Sequence, residues 1–127
     1  MILVDTSVWV DHLRRTDDRL VAALEDEAVL THPFIIGELA CGNLNNRVEI
    51  LGLLGRLPKA PSATDREALE FIDKRQLMAK GIGYIDIHLL ASTALLPGAR
   101  LWTKDQRLAA IAARMGIDIL SPRQLAR

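Results

Sequence analysis

Four acidic residues in this chain stand where carboxylates are expensive or unusual. Asp5 closes the apolar run "MILV" and is followed by two hydroxyls, Thr6 and Ser7. Glu38 is the only charge in "HPFIIGELACGNLNN". It has no Lys or Arg within one helical turn, so no local ion pair offsets it, and burying a lone carboxylate is costly. Asp86 opens the apolar stretch after "GIGYI", and Asp105 follows the strand-like "RLWT". Each has a structural alternative. Asp5, Asp86 and Asp105 are good helix N-cap residues, with Thr103 and Gln106 offering a weak capping box around Asp105. Glu38 would fit the exposed side of a one-faced helix.

If the four converge, they need a counter-charge. Two carboxylates about 4 Å apart repel by about 4 kcal/mol at an effective dielectric near 20, and without a cation some would protonate. Hard oxygen donors with no Cys or His beside them favour Mg²⁺ or Mn²⁺ over Zn²⁺. Such an ion could acidify water and neutralise phosphate oxygens, the chemistry of phosphodiester hydrolysis.

The elements that must position these acids are short. Ile2–Val4 reads as a buried strand and residues 17–28 as a helix with Leu20, Val21, Leu24 and Ala28 on one face. Residues 29–31 suit a second strand. Pro33 suits the first turn of a helix reaching about Gly42. Val48, Leu51 and Leu54 mark another amphipathic helix. "LPKAPSAT" reads as a loop or a short edge strand. Thr64 and Glu67 form a capping box for a helix over 65–80 that Gly81 stops. Residues 86–96 are apolar nearly all round and should form a central buried helix. Residues 100–103 and 117–120 read as strands. Leu108, Ile111, Ala112 and Met115 give a helical stripe between them, and Ser121-Pro122 starts a short terminal helix. Alternating strands and helices imply an α/β fold with a parallel sheet covered on both faces. Ligand sites in such sheets lie beyond the carboxyl ends of the strands.

The chain has 127 residues, half of them hydrophobic and a quarter charged, with no net charge. That suits one domain over 1–127. Met1–Val4 is too short for a secretory core and no uncharged run is long enough to span a bilayer, so a soluble cytoplasmic protein with no membrane association is expected. Cys41 is the only cysteine, which excludes an intrachain disulfide and suits a small core residue. Residues 1–42 hold eight of the sixteen acids and three of the sixteen basic residues. A basic back half could meet a polyanion, although a mixed surface explains the same split.

These motifs resemble the PIN-domain family, and within it the VapC-type toxins of prokaryotic toxin–antitoxin systems. "ILVDTSVWVDHL" resembles the opening strand with the first acid, and "GELACG" the helix with the glutamate. "GIGYIDIHLLASTALL" resembles the segment with the third acid, and "LWTKDQRL" the strand and turn with the fourth. The resemblance covers nearly the whole chain, in order. It implies a three-layer α/β/α sandwich with a short, mostly parallel central sheet, and a divalent-metal-dependent endoribonuclease that leaves a 5′-phosphate. Asp5 and Asp105 would hold the main Mg²⁺ or Mn²⁺ with Asp86 beside them, and Glu38 would hold a second ion or orient a water. Thr6, Ser7 and Thr103 would hydrogen-bond the carboxylates or metal waters. Some relatives carry a further acid after the fourth, where this chain has Gln106 and Arg107. A small antitoxin shielding the cleft with an amphipathic helix and a basic residue is expected, as is a homodimer.

RNA is held by its phosphates, so Arg14, Arg15, Lys104 and Arg107, close in sequence to acids, are candidate contacts. Trp9, Trp102 and Phe34 read as core, and Tyr84 as the better stacking residue. His12, His32 and His88 lack metal-ligand spacing and read as structural. A phosphoaspartate phosphatase would want a second acid at position 7, which is Ser. A receiver domain would want paired acids after its first strand and five strands, where about four are visible. A non-catalytic PIN-like module that binds RNA or protein is the remaining alternative.

Overall fold

The computed structural model describes Met1–Leu120; the helix expected from Ser121-Pro122 lies outside the described residues. Four strands, β1 (Ile2–Val4), β2 (Val29–Leu30), β3 (Arg100–Trp102) and β4 (Asp118–Ile119), form one sheet in the order β2-β1-β3-β4. All pairs are parallel, with Leu3 beside Leu30 and Leu101, and Leu101 beside Ile119. Successive strand residues point to opposite faces. Leu3, Val4 and Leu101 are fully buried and Trp102 nearly so, so both faces are covered. That is the rule for parallel sheets and gives the three-layer α/β/α sandwich.

Seven helices supply the cover: α1 (Thr6–Arg14), α2 (Asp18–Glu25), α3 (Pro33–Ala40), α4 (Arg47–Arg56), α5 (Asp65–Arg75), α6 (Tyr84–Leu95) and α7 (Gln106–Arg114). None of them is long and apolar enough to cross a membrane. α1 is not among the helices expected from the sequence, and Thr, Ser, Val and Trp have modest helix propensity. Burial of Val8 and Trp9 overrides that. α6 is the central helix: every residue from Ile87 to Thr93 is buried.

Several boundaries differ from expectation. α2 ends at Glu25, and Glu27, at φ 54°, turns the chain into β2. α5 has the expected capping box between Thr64 and Glu67 but stops at Arg75, five residues before the expected end at Lys80. Gln76 turns left-handed at φ 53°, the Leu77 N–H bonds back to Ile72 O at 3.0 Å, and Leu77 is buried. This is a Schellman-type closure driven by an apolar residue just past the helix. Gly81 therefore ends no helix. It takes φ 79°, and a side chain there would collide with the Arg107 guanidinium.

On α4 the buried face is Leu54 with Ile50 and Leu51 partly buried, while Val48 is 89% exposed. Of the expected Val48, Leu51 and Leu54 stripe, Leu51 and Leu54 pack inward and only Val48, in the first turn, faces solvent. Within "LPKAPSAT", Lys59 makes a single parallel bridge to Thr31, the edge-strand alternative at its shortest. Two core assignments fail. Cys41 is exposed, because it lies at the C-cap of α3 beyond the face buried by Ile35 and Leu39. Phe34 is 37% exposed in the first turn of the same helix. Trp9 and Trp102 are in the core as expected.

Leu101 is fully buried on a central strand between β1 and β4. Leu101→Ala should therefore cost about 2–5 kcal/mol, read as a lower urea midpoint at unchanged slope.

Candidate active site

The carboxyl ends of β1 and β3 form the rim where the acids gather. Asp5 follows β1 directly, and its N–H donates to Trp102 O at 2.9 Å, continuing the β1–β3 ladder. By backbone it is the N-cap of α1, yet its side chain caps nothing. Instead Asp5 Oδ2 accepts from Ser7 Oγ at 2.8 Å and from Thr103 Oγ1 at 2.7 Å. Both hydroxyls also accept backbone donors, Lys104 N–H on Ser7 and Asp105 N–H on Thr103, each at 3.0 Å. A hydroxyl has one proton to give. With their lone pairs on amides, both direct it at Asp5, which is itself buried.

Asp105 does cap. Its Oδ1 accepts from Arg107 N–H at 2.9 Å and Leu108 N–H at 3.2 Å, at the start of α7. This is the capping role the structural alternative gave Asp105, while the weak Thr103–Gln106 box does not form. Asp86 sits at the third position of α6 and accepts from Gly83 N–H at 3.3 Å, half of a capping box. The helix starts at Tyr84, two residues earlier than expected, with Gly83 as its N-cap. Glu38 lies on the exposed side of α3, as the structural alternative had it. Its Oε1 nevertheless accepts from Thr6 Oγ1 on α1 at 2.7 Å, across 32 residues of chain.

A common pattern emerges. Each carboxylate has one oxygen fixed by the protein. Among the described residues the other oxygen, Asp5 Oδ1, Glu38 Oε2, Asp86 Oδ1 or Asp105 Oδ2, receives no hydrogen bond. Three of the acids lie at the N-termini of α1, α6 and α7, where the helix dipole favours negative charge. Glu38, in the last turns of α3, has Thr6 instead. The four share one electrostatic neighbourhood. Burial holds the Asp86 carboxyl above the ordinary carboxylate range, the Gly83 N–H opposes this, and the charges of Asp5, Asp105 and Glu38 push it further up. They do not form a closed cage: among the described residues no three His, Cys, Asp or Glu side chains are gathered tightly enough to enclose an ion.

The basic candidates divide. Lys104 Nζ pairs with Asp11 Oδ2 at 2.6 Å, and Arg107 Nη1 donates to Gly81 O at 3.3 Å. Arg14 and Arg15 make no ion pair among the described residues and line a depression of about 560 Å³ with Lys104. The histidines are structural, as expected. His12 Nδ1 accepts from Asp17 N–H, and His32 Nδ1 caps α3 through Phe34 N–H. His32 is buried, which holds its imidazole below the usual value. His88 packs edge-on to Phe34 and Tyr84, each ring centroid 4.7 Å away. Tyr84 donates its hydroxyl to Asp65 at 2.7 Å. One element beside the site was not singled out in the sequence. The asparagine-rich turn 43–46 borders a cavity together with Glu38. A cluster of amides not needed for capping was the only signal of it.

A three-layer α/β/α sandwich on a parallel sheet, with acids at the carboxyl-end rim where such sheets bind ligands, is the class of protein this chain presents. The family follows from comparison. The model of the PIN domain matches residues 2–114. The chain is also 48% identical over 119 residues to Ribonuclease VapC32 of Mycobacterium tuberculosis, strains CDC 1551 / Oshkosh and ATCC 25618 / H37Rv, covering 94% of this chain and 96% of the relative. This chain belongs to the PIN-domain family.

The raised Asp86 carboxyl sets the sign of a pH effect. The native state favours its protonated form, so its contribution to stability is full below the ordinary carboxylate pKa and is lost as pH rises through the raised value. In EDTA at neutral pH, Asp86→Asn should melt a few degrees above the native chain. The gap should close toward pH 4, checked by thermal denaturation across pH.

Proposed function

We propose that this chain is a VapC-type endoribonuclease, the toxin of a toxin–antitoxin pair, whose acids Asp5, Glu38, Asp86 and Asp105 hold one or two Mg²⁺ or Mn²⁺ ions. The observation that carries the reading is the set of four carboxylates in one electrostatic neighbourhood, each with a spare oxygen. The donor set fits the ion. It is all oxygen, hard and multiply charged, as Mg²⁺ and Mn²⁺ require, and a cation would offset the acidic neighbours that push the Asp86 carboxyl up. When bound, the ion supplies charge that neutralises phosphate oxygens and acidifies water.

The rest belongs to the chain. Ser7 and Thr103 fix the Asp5 carboxylate so that Oδ1 remains for a ligand. Asp105 offers Oδ2 while Oδ1 secures α7. Asp86, whose carboxyl burial and three acidic neighbours hold above the ordinary range, would offer Oδ1 to a bound cation. Glu38, aligned by Thr6, orients the attacking water and takes its proton. Arg14, Arg15 and Lys104 hold the RNA backbone, with Lys104 exchanging Asp11 for phosphate. The 48% identity to a protein named Ribonuclease VapC32 supports this reading. A small antitoxin protein that covers the acidic rim and a homodimer accompany it.

The open spacing of the acids favours one second reading, a PIN-like module that binds without cutting. Two measurements separate them. Mg²⁺ at about 100 times its Kd should stabilise the chain by about 2.7 kcal/mol, a shift of several degrees in the melting midpoint that Asp5→Asn largely removes. RNA-end sequencing after expression should show discrete new 5′ ends for the native chain. Asp105→Asn retains a capping side chain, so it should fold normally yet lose cleavage. Equal cleavage by both chains would overturn the assignment of Asp105. Thr103→Val, which removes a hydroxyl orienting Asp5, should weaken metal affinity roughly 10- to 100-fold, measured by titration with Mn²⁺.

A further inference from the structure

A cavity of about 560 Å³ opens on the far side of Glu38, between α1, α3 and the turn into α4. Its volume falls in the range of about 300–1,000 Å³ usual for small-molecule sites. One wall is apolar, built by Leu13, Leu39 and Ile50. The lining also carries three amides, Asn43, Asn45 and Asn46, all solvent-exposed. Among the described residues none of these side chains makes a hydrogen bond within the protein. The turn itself is fixed, since Arg47 Nη1 donates to Gly42 O at 3.2 Å and Asn46 takes a left-handed φ of 55°. The amides are thus held on a shaped support with their donors and acceptors unspent. Arg14 borders both this cavity and the neighbouring depression lined by Arg15 and Lys104, so one cation joins the two.

We propose that this cavity receives an unstacked adenine of the RNA substrate, next to the cleaved phosphate, and sets the sequence preference of cutting. The apolar wall faces the base ring. An Asn amide matches the adjacent acceptor and donor of adenine, N7 and N6, in a two-point hydrogen bond. Single-stranded RNA is recognised through such splayed bases. Arg14 and Arg15 carry the phosphates that follow, and shared Glu38 brings the base beside the acidic rim. The proposal rests on the ribonuclease reading for its substrate, but its test does not require cleavage.

Fluorescence anisotropy in EDTA, with short labelled oligoadenylate, oligocytidylate and oligouridylate, measures base preference without a metal. The native chain should bind oligoadenylate most tightly. Asn43→Ala or Asn45→Ala, both at exposed positions, should reduce that preference roughly tenfold and leave the other two affinities unchanged. Asn46 is kept, because its left-handed backbone disfavours Ala. Cut-site sequencing on a randomised RNA should show the adenine preference relaxing in the same variants. Absence of an adenine preference in the native chain, or its persistence in both variants, would overturn the proposal while leaving the ribonuclease reading intact. A preference that disappears in the variants, in a chain that cuts no RNA, would support the cavity and sink the ribonuclease reading instead. Unaltered base discrimination with weakened antitoxin binding would mark the cavity as a protein-docking groove and also overturn it.

Discussion

A hydrogen bond that spans 98 residues of chain, from Thr103 Oγ1 to Asp5 Oδ2 at 2.7 Å, carries the organisation of this molecule. It exists because β1 and β3 pair in parallel with Val4 beside Trp102. That register brings both strands to their carboxyl ends at the same level. Asp5 extends the ladder by one further bond to Trp102 O. A slip of one residue would reverse the side chains to the other face. It would take Thr103 away from Asp5 and strip the buried carboxylate of a donor. The sheet and the site are therefore specified by the same pairing.

Around that pairing the fold gathers negative charge and limits the penalty locally. Hydroxyls from α1 and from the β3–α7 turn face Asp5 and Glu38. Helix N-termini face Asp5, Asp86 and Asp105. Neither device removes the repulsion, and the Asp86 carboxyl, raised first by burial, is pushed further up by its three acidic neighbours. The acids stay apart, each restrained by one oxygen and open at the other. Such a rim is partly organised and incompletely neutralised.

Arg107 makes a contact that its position in the chain does not reveal. In the fold it reaches the Gly81 carbonyl and occupies the space a side chain at Gly81 would need. It links the loop leading to Asp86 to the helix capped by Asp105. Gly81 in turn is a site of close approach and not a helix stop. The true stop, Gln76 with Leu77, carries no glycine and is set by burial of Leu77. Val48, Phe34 and Cys41 show the same limit: apolar character marks what can be buried, and packing decides which face is.

What the sequence determined alone was whatever acts within a turn or two. The Thr64–Glu67 box, Pro33 opening α3, the all-round apolar α6 and the alternation of strand and helix were all legible, because caps and periodicity are local free energies. The four acids were legible as anomalies, and motif order tied them to a family. Tertiary structure alone decided that Asp105, while capping α7, keeps an oxygen free, that Asp5 caps nothing, that Thr6 reaches Glu38, and that an asparagine turn borders the same glutamate. Those facts depend on strand register and helix packing between distant segments. No local preference encodes such contacts, since each exists only once the buried sheet has brought its two partners together.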